Sequence, residues 1–152
     1  MGNTIIDWDE YFINLAEQVS LKSKDPSTKT GVIIVSQDNA IISCGFNGFP
    51  IGVNDDPERY LDRTTKLALV SHAERNSVYL AARNGNKTKG CKMYTNFGPQ
   101  TCHECAKAII QAGIVELIGE KITTQFAGGR WEESIKNGNL LLNEAGVKIT
   151  EV

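Results

Sequence analysis

Residues 71–119, SHAERNSVYLAARNGNKTKGCKMYTNFGPQTCHECAKAIIQAGIVELIG, decide the fold. Ser71-His-Ala-Glu74 fits a capping box, with Ser71 as N-cap and Glu74 at the third helical position. A helix is therefore predicted from about Ser71 to Asn84, with Gly85 just past its end. CKMYTNF follows as a short strand that stops at the turn residues Gly98 and Pro99. Thr101-Cys-His-Glu104 repeats the capping-box pattern and opens a second helix, which Gly113 closes, and IVELIG is a further strand. Upstream, WDEYFINLAEQVSL over residues 8–21 has Phe12, Leu15, Ala16 and Val19 at helical spacing. KSKDPSTKTG breaks that helix, and GVIIVS and AIISCGF form a hairpin across Gln-Asp-Asn. Residues 47–64 show no period and read as a long loop. Downstream, residues 131–145 form a helix weakened at Asn137-Gly138, and VKITEV is the last strand. The order α-β-β-α-β-α-β-α-β implies an α/β protein, its sheet largely parallel and covered by helices, with one antiparallel hairpin at the start.

A chain of 152 residues, 41% hydrophobic and 22% charged, is expected to form one domain spanning residues 1–152. The net charge of −2 gives no electrostatic footprint for duplex DNA, RNA or an anionic membrane, although it leaves room for a small nucleotide at a local positive site. No apolar run approaches the roughly 20 residues of a membrane span. MGNTIIDWDEYF lacks the basic and apolar regions of a signal peptide, and Ile6 stands where a myristoylation motif wants Ser or Thr. A cytoplasmic location is expected. Without an export signal, Cys44, Cys91, Cys102 and Cys105 are not expected to form a disulfide framework.

Cys102 and Cys105 lie three residues apart, which puts both sulfurs on one helical face at a helix start that favours thiolates. With His72 they make a soft donor set suited to zinc. Three protein ligands leave a fourth position open, the pattern of a catalytic zinc, where water ionises near neutral pH. Glu74, two residues after His72, is placed to accept and pass on that proton. Read alone, Glu74 is also the capping partner of Ser71, and a carboxylate folded back on its own helix start is not free to carry protons. His103 points away from the cysteine face, and Glu104 suits the purely structural capping role. Cys44 and Cys91 read as buried inert thiols, a second metal site having no supporting spacing. A redox pair at the C-x-x-C and a structural zinc are the competing readings. The first needs no upstream His-x-Glu, and the second wants a fourth Cys or His nearby.

His72-Ala-Glu74 followed by Cys102-His-Glu-Cys105 resembles the zinc nucleobase deaminases. The segments KDPSTKTG (24–31), GFNGFP (45–50) and CAKAIIQAG (105–113) are similar to those of deoxycytidylate deaminases, and the likeness covers nearly the whole chain. The resemblance implies a three-layer α/β/α cytidine deaminase-like fold with a five-stranded mixed sheet, and usually a hexamer. It implies hydrolysis of dCMP to dUMP and ammonia, feeding dTMP synthesis, with dCTP as activator, dTTP as inhibitor and Mg²⁺ accompanying the effector triphosphate. On that resemblance His72, Cys102 and Cys105 match the zinc ligands and Glu74 the proton shuttle. Asn47 matches a nucleoside contact, and Thr28, Lys29 and Thr30 match the loop lining the substrate side. The segment 46–54, with Phe46, Gly48, Val53 and Asn54, matches the effector region. The backbone N–H of Ala73 is placed to orient the base, and Phe97 either stacks on the ring or belongs to the core.

Two features depart from the family pattern. Thr101 stands where the family has Pro directly before the first cysteine, and Pro99 lies two residues earlier. The stretch 120–126, EKITTQF, lacks the Tyr with which some members touch the substrate phosphate, and Arg130 is the candidate replacement. A surface arginine after a glycine turn is the alternative reading of Arg130. Deamination of another base or nucleoside (cytidine, guanine, an RNA adenosine) and a zinc-stabilised binding module without turnover are the other functional classes.

Overall fold

The computed structural model describes residue 2, residues 4–122 and residues 129–152. Asp7 caps the first helix, α1 (Trp8–Ser20), its carboxylate accepting from the Glu10 N–H at 2.8 Å. The hairpin follows as β1 (Gly31–Val35) and β2 (Ile41–Phe46). Helix α4 (Ala73–Asn84), strand β3 (Lys92–Thr95), helix α5 (His103–Gln111) and strand β4 (Glu116–Gly119) then alternate. The chain closes with α6 (Glu132–Glu144) and β5 (Lys148–Glu151). Among the described residues no helix is long and apolar enough to cross a membrane.

The sheet has five strands in the order β2-β1-β3-β4-β5. β1 runs antiparallel to both β2 and β3, whereas β3, β4 and β5 are parallel. The sheet is therefore mixed, as the resemblance implies, and less parallel than the order of elements suggests. The hairpin returns β2 to the edge, so the crossover through α4 carries the chain past β1 to its far side. Strand alternation then builds two cores. Val32 and Ile34 of β1, with Met93 and Leu117, face Ala73, Ala106, Ile109 and Leu142 of the helices α4, α5 and α6. Ile33 and Val35, with Tyr94 and Ile118, face Phe12, Ile13 and Ala16 of α1 on the opposite side. These are the three layers of an α/β/α sandwich.

Residues 47–64 are not a simple loop. They hold α2 (Pro57–Leu61) and the start of α3 (Arg63–Leu69), which Asp62 caps by accepting from the Thr65 N–H at 3.1 Å. Helices of five and seven residues are too short to display a period. α6 runs unbroken through Asn137-Gly138.

α4 lies against β2 at Gly45, where a Cβ would fall 2.4 Å from the Ser77 amide nitrogen and 2.5 Å from the Ala73 carbonyl. Only glycine permits that approach. Gly48 and Ser71 exchange backbone hydrogen bonds of 3.1 and 2.8 Å just before the helix begins. Together these contacts fix the first turn of α4, and with it His72 and Glu74.

Candidate active site and metal centre

Both ligand-bearing helices start one residue later than their capping boxes predict. The N-cap of α4 is His72, not Ser71, and its side chain caps nothing. The N-cap of α5 is Cys102, not Thr101, and its Sγ accepts from the Cys105 N–H at 3.4 Å. Neither capping box forms. Glu74 occupies the second helical position of α4, and its Oε1 accepts from Thr101 Oγ1 at 3.2 Å across the site. Glu104 forms a surface pair with Lys107 at 2.6 Å. Of the side chains read as caps, Glu74 and Thr101 have been turned toward one another, and the candidate ligands His72 and Cys102 occupy the cap positions.

His72 Nδ1 lies 3.4 Å from Cys102 Sγ and 3.4 Å from Cys105 Sγ. One donor atom from each of the three residues falls within 4.8 Å of the others. A tetrahedral zinc with ordinary Zn–N and Zn–S bonds holds its donors about 3.5 Å apart, so the group fits the ion. The fit uses Nδ1 of the imidazole. The two sulfurs differ in how readily they ionise. Hydrogen bonds from the Cys105 thiol and His72 hold Cys102 down to about 4. Cys105 retains its proton, pushed upward by that same bond, by burial and by Glu74. The Cys102 contact raises His72, with Glu74 adding to the effect.

His72 and Cys102 border a cavity of about 440 Å³. Of the residues expected at the substrate, Thr28, Thr30, Asn47, Ala73, Phe97 and Arg130 line it, as does Glu74. Lys29 does not line it, and its Nζ donates to the Ser23 carbonyl at 2.7 Å. Asn47 is buried, with both amide protons given to Thr28 O and Asp25 Oδ2 and its Oδ1 accepting from the Thr30 N–H. That leaves one acceptor lone pair on Oδ1. Of the segment expected to hold an effector, Phe46, Gly48, Val53 and Asn54 lie outside the cavity lining, with Phe46 and Val53 exposed and Gly48 paired to Ser71. Cys44 and Cys91 are free thiols apart from the donor group, and burial pushes the Cys91 thiol up. His103 is half-exposed and bonded through Nδ1 to Ser134 Oγ at 2.8 Å, away from the donors.

Asp25, Lys66 and Trp131 are among the cavity residues that escaped the sequence reading. Lys66 on α3 pairs with Asp25 at 2.8 Å, and both border the cavity. Trp131 meets the His72 ring edge-on at 5.6 Å, and the Arg130 guanidinium lies 5.2 Å from the Trp131 ring centre. Asp25 had a legible signal, since Asp followed by Pro-Ser-Thr is an Asx-turn pattern. Lys66 had none. Of the stretch 120–126, which lacks the phosphate-contacting Tyr of some family members, residues 123–126 lie outside the described residues.

The chain matches, over residues 6–120, the family model described as the cytidine and deoxycytidylate deaminase zinc-binding region. Deoxycytidylate deaminase of Homo sapiens is 39% identical over 151 residues, covering 93% of this chain and 78% of that protein. The Mus musculus deoxycytidylate deaminase is 43% identical over 151 residues with the same coverage. Among solved structures, the dCMP deaminase of cyanophage S-TIM5 in complex with dCMP and dUMP superposes with a TM-score of 0.72. It is 22% identical and covers 99% of this chain and 100% of that one, a likeness of fold.

Proposed function

The chain belongs to the cytidine and deoxycytidylate deaminase family, and from that premise we propose that it hydrolyses dCMP to dUMP and ammonia. The observation that carries the reading is the meeting of His72 Nδ1, Cys102 Sγ and Cys105 Sγ at a cavity into which Glu74 also projects. His72, Cys102 and Cys105 would hold zinc, which would supply Lewis acidity to the reaction. The chain's own groups do the rest. Glu74 accepts a proton from the attacking water and delivers it to N3 of the cytosine, then takes the remaining hydroxyl proton of the tetrahedral adduct and passes it to the 4-amino group, which leaves as ammonia while the C4 carbonyl forms. The Ala73 N–H, at the uncapped start of α4, orients the base carbonyl. Phe97 lies at the cavity wall, where a ring can stack. Asn47 receives a sugar hydroxyl through its remaining lone pair, because both of its amide protons are already used.

A nucleotide rather than a free nucleoside suits a cavity bordered by Arg63, Lys66 and Arg130. In this reading Arg130 meets the 5′-phosphate. The surface segment 46–54 takes dCTP as activator or dTTP as inhibitor with Mg²⁺, and the enzyme works as a cytoplasmic hexamer. Exposure of Phe46 and Val53 leaves that segment accessible to a ligand.

The test is ammonia release by the zinc-loaded protein from dCMP, deoxycytidine, CMP and dCTP offered separately, each with and without dCTP and dTTP as effectors. Turnover of dCMP, raised by dCTP and suppressed by dTTP, is expected. Turnover of deoxycytidine alone would mean that no phosphate anchor exists. Silence with all four would return the protein to another base or to a non-catalytic zinc module.

A further inference from the structure

Glu74, the proposed proton carrier, is fixed neither by metal ligation nor by its own helix. A glutamate has three rotatable bonds, and a proton carrier must point at one place. The ordinary restraint on a carboxylate in a first helical turn is a bond to a local backbone N–H, and here Glu74 reaches away from its helix to Thr101. Thr101 is 2% exposed, and its bond to Glu74 is part-buried at the cavity wall. Its other acceptor, the Cys102 carbonyl, stands at 3.5 Å, the longer of the two contacts. The threonine is itself held firmly. Its carbonyl is seated over Gly138 of α6, where a Cβ would come within 2.2 Å, and β-branching restricts its χ1. The second carboxylate oxygen, Oε2, lies 3.7 Å from Cys105 Sγ, on the side of the donor group.

We propose that Thr101 is the positioning residue for Glu74: its hydroxyl fixes Oε1, so that Oε2 is presented to the metal centre and the base. The assignment rests on reading Glu74 as the proton carrier. It gives a chemical use to the threonine that stands directly before the first cysteine.

Thr101→Val removes the hydroxyl at nearly constant shape, and Thr101→Ser keeps it. Both variants are compared with the wild type by zinc content, melting temperature, steady-state kinetics on dCMP and crystal structures of the zinc-loaded forms. Thr101→Val is expected to bind zinc and to lose about tenfold in kcat, with KM changed by less than about twofold. Thr101→Ser should recover most of the rate. The Glu74 carboxylate should shift or split into several rotamers in the Val variant and stay single in the Ser variant. Unchanged kcat in Thr101→Val, or a Glu74 carboxylate in the same place with and without the hydroxyl, would overturn the assignment. If Thr101→Val fails to fold, the wild-type structure decides: a Thr101 Oγ1 beyond hydrogen-bond reach of Glu74 in the loaded protein overturns it. If the wild type releases no ammonia from dCMP, the functional reading falls, while the carboxylate positions still decide what Thr101 does.

Discussion

Lys66 Nζ lies 2.8 Å from Asp25 Oδ1, joining a short helix to a loop 41 residues away at the wall of the cavity. The same carboxylate accepts from the Ser27 and Thr28 N–H groups and from the Asn47 amide. One buried acid thus shapes the loop that carries Thr28 and orients the residue proposed to touch the sugar. Asp25→Asn keeps an acceptor for the loop but strands the Lys66 ammonium, only 17% exposed. It is expected to cost about 2 kcal/mol of stability and to raise KM for dCMP more than it lowers kcat. Urea denaturation and steady-state kinetics check both parts.

The pair also sets a pH dependence. Burial pushes the Asp25 carboxyl up, but Lys66 and the loop N–H groups outweigh it and leave the group below its ordinary value. A depressed carboxyl stabilises the fold above the unfolded value of about 4, and that contribution disappears as pH falls through the folded value. The stability deficit of Asp25→Asn should therefore be full at neutral pH and shrink on acidification below about pH 4. A deficit that stayed constant down to pH 2 would show that the ion pair contributes nothing.

Glu74→Gln preserves shape and removes the proton acceptor. Turnover should fall by about a thousandfold while zinc content stays that of the wild type. Cys102→Ser should instead lose the metal and the activity together. Metal analysis beside the ammonia assay separates the two. Loss of zinc from the Gln variant would place Glu74 in the fold or the metal shell.

Arg130→Ala is expected to raise KM for dCMP about tenfold and to leave deoxycytidine turnover, however slow, unaffected. Its guanidinium lies beside Trp131, itself in edge contact with His72, and lines the cavity. An unchanged KM would make it a surface arginine.

Gly138→Ala sets two effects against each other. Alanine improves the helix by about 1 kcal/mol. The added Cβ, however, would meet the Thr101 carbonyl at 2.2 Å and the Cys102 carbonyl carbon at 3.2 Å, both backbone atoms. Overpacking of that kind costs about 1–3 kcal/mol or more, so the variant should melt lower and bind zinc more weakly. Thermal melts with and without a chelator measure the two losses.

The sequence made the site more legible than its scaffold. His72, Glu74, Cys102 and Cys105 were readable because their spacing encodes both a chemistry and a helix start. The off-by-one register of both helices was not, since Ser71 and Thr101 are better caps than His or Cys by local preference. What overrides them is tertiary: the Ser71 backbone is tied to Gly48, and the Thr101 hydroxyl is engaged by Glu74. Asn137-Gly138 looked like a weak point in a helix and is the place where that helix touches the cysteine loop. Lys66 and Trp131 entered the cavity by long-range folding and left no local trace.

The capping positions of α4 and α5 carry a consequence for how this protein tolerates change. His72 makes no cap hydrogen bond, so α4 begins with bare donors where Ser, Asp or Asn would add about 1 kcal/mol. A screen that rewards only thermal resilience would favour such replacements at position 72, and each would remove a ligand atom from the donor group. Robustness and reactivity compete for the same residue here. Variants selected for resilience should first be checked for what stands at position 72.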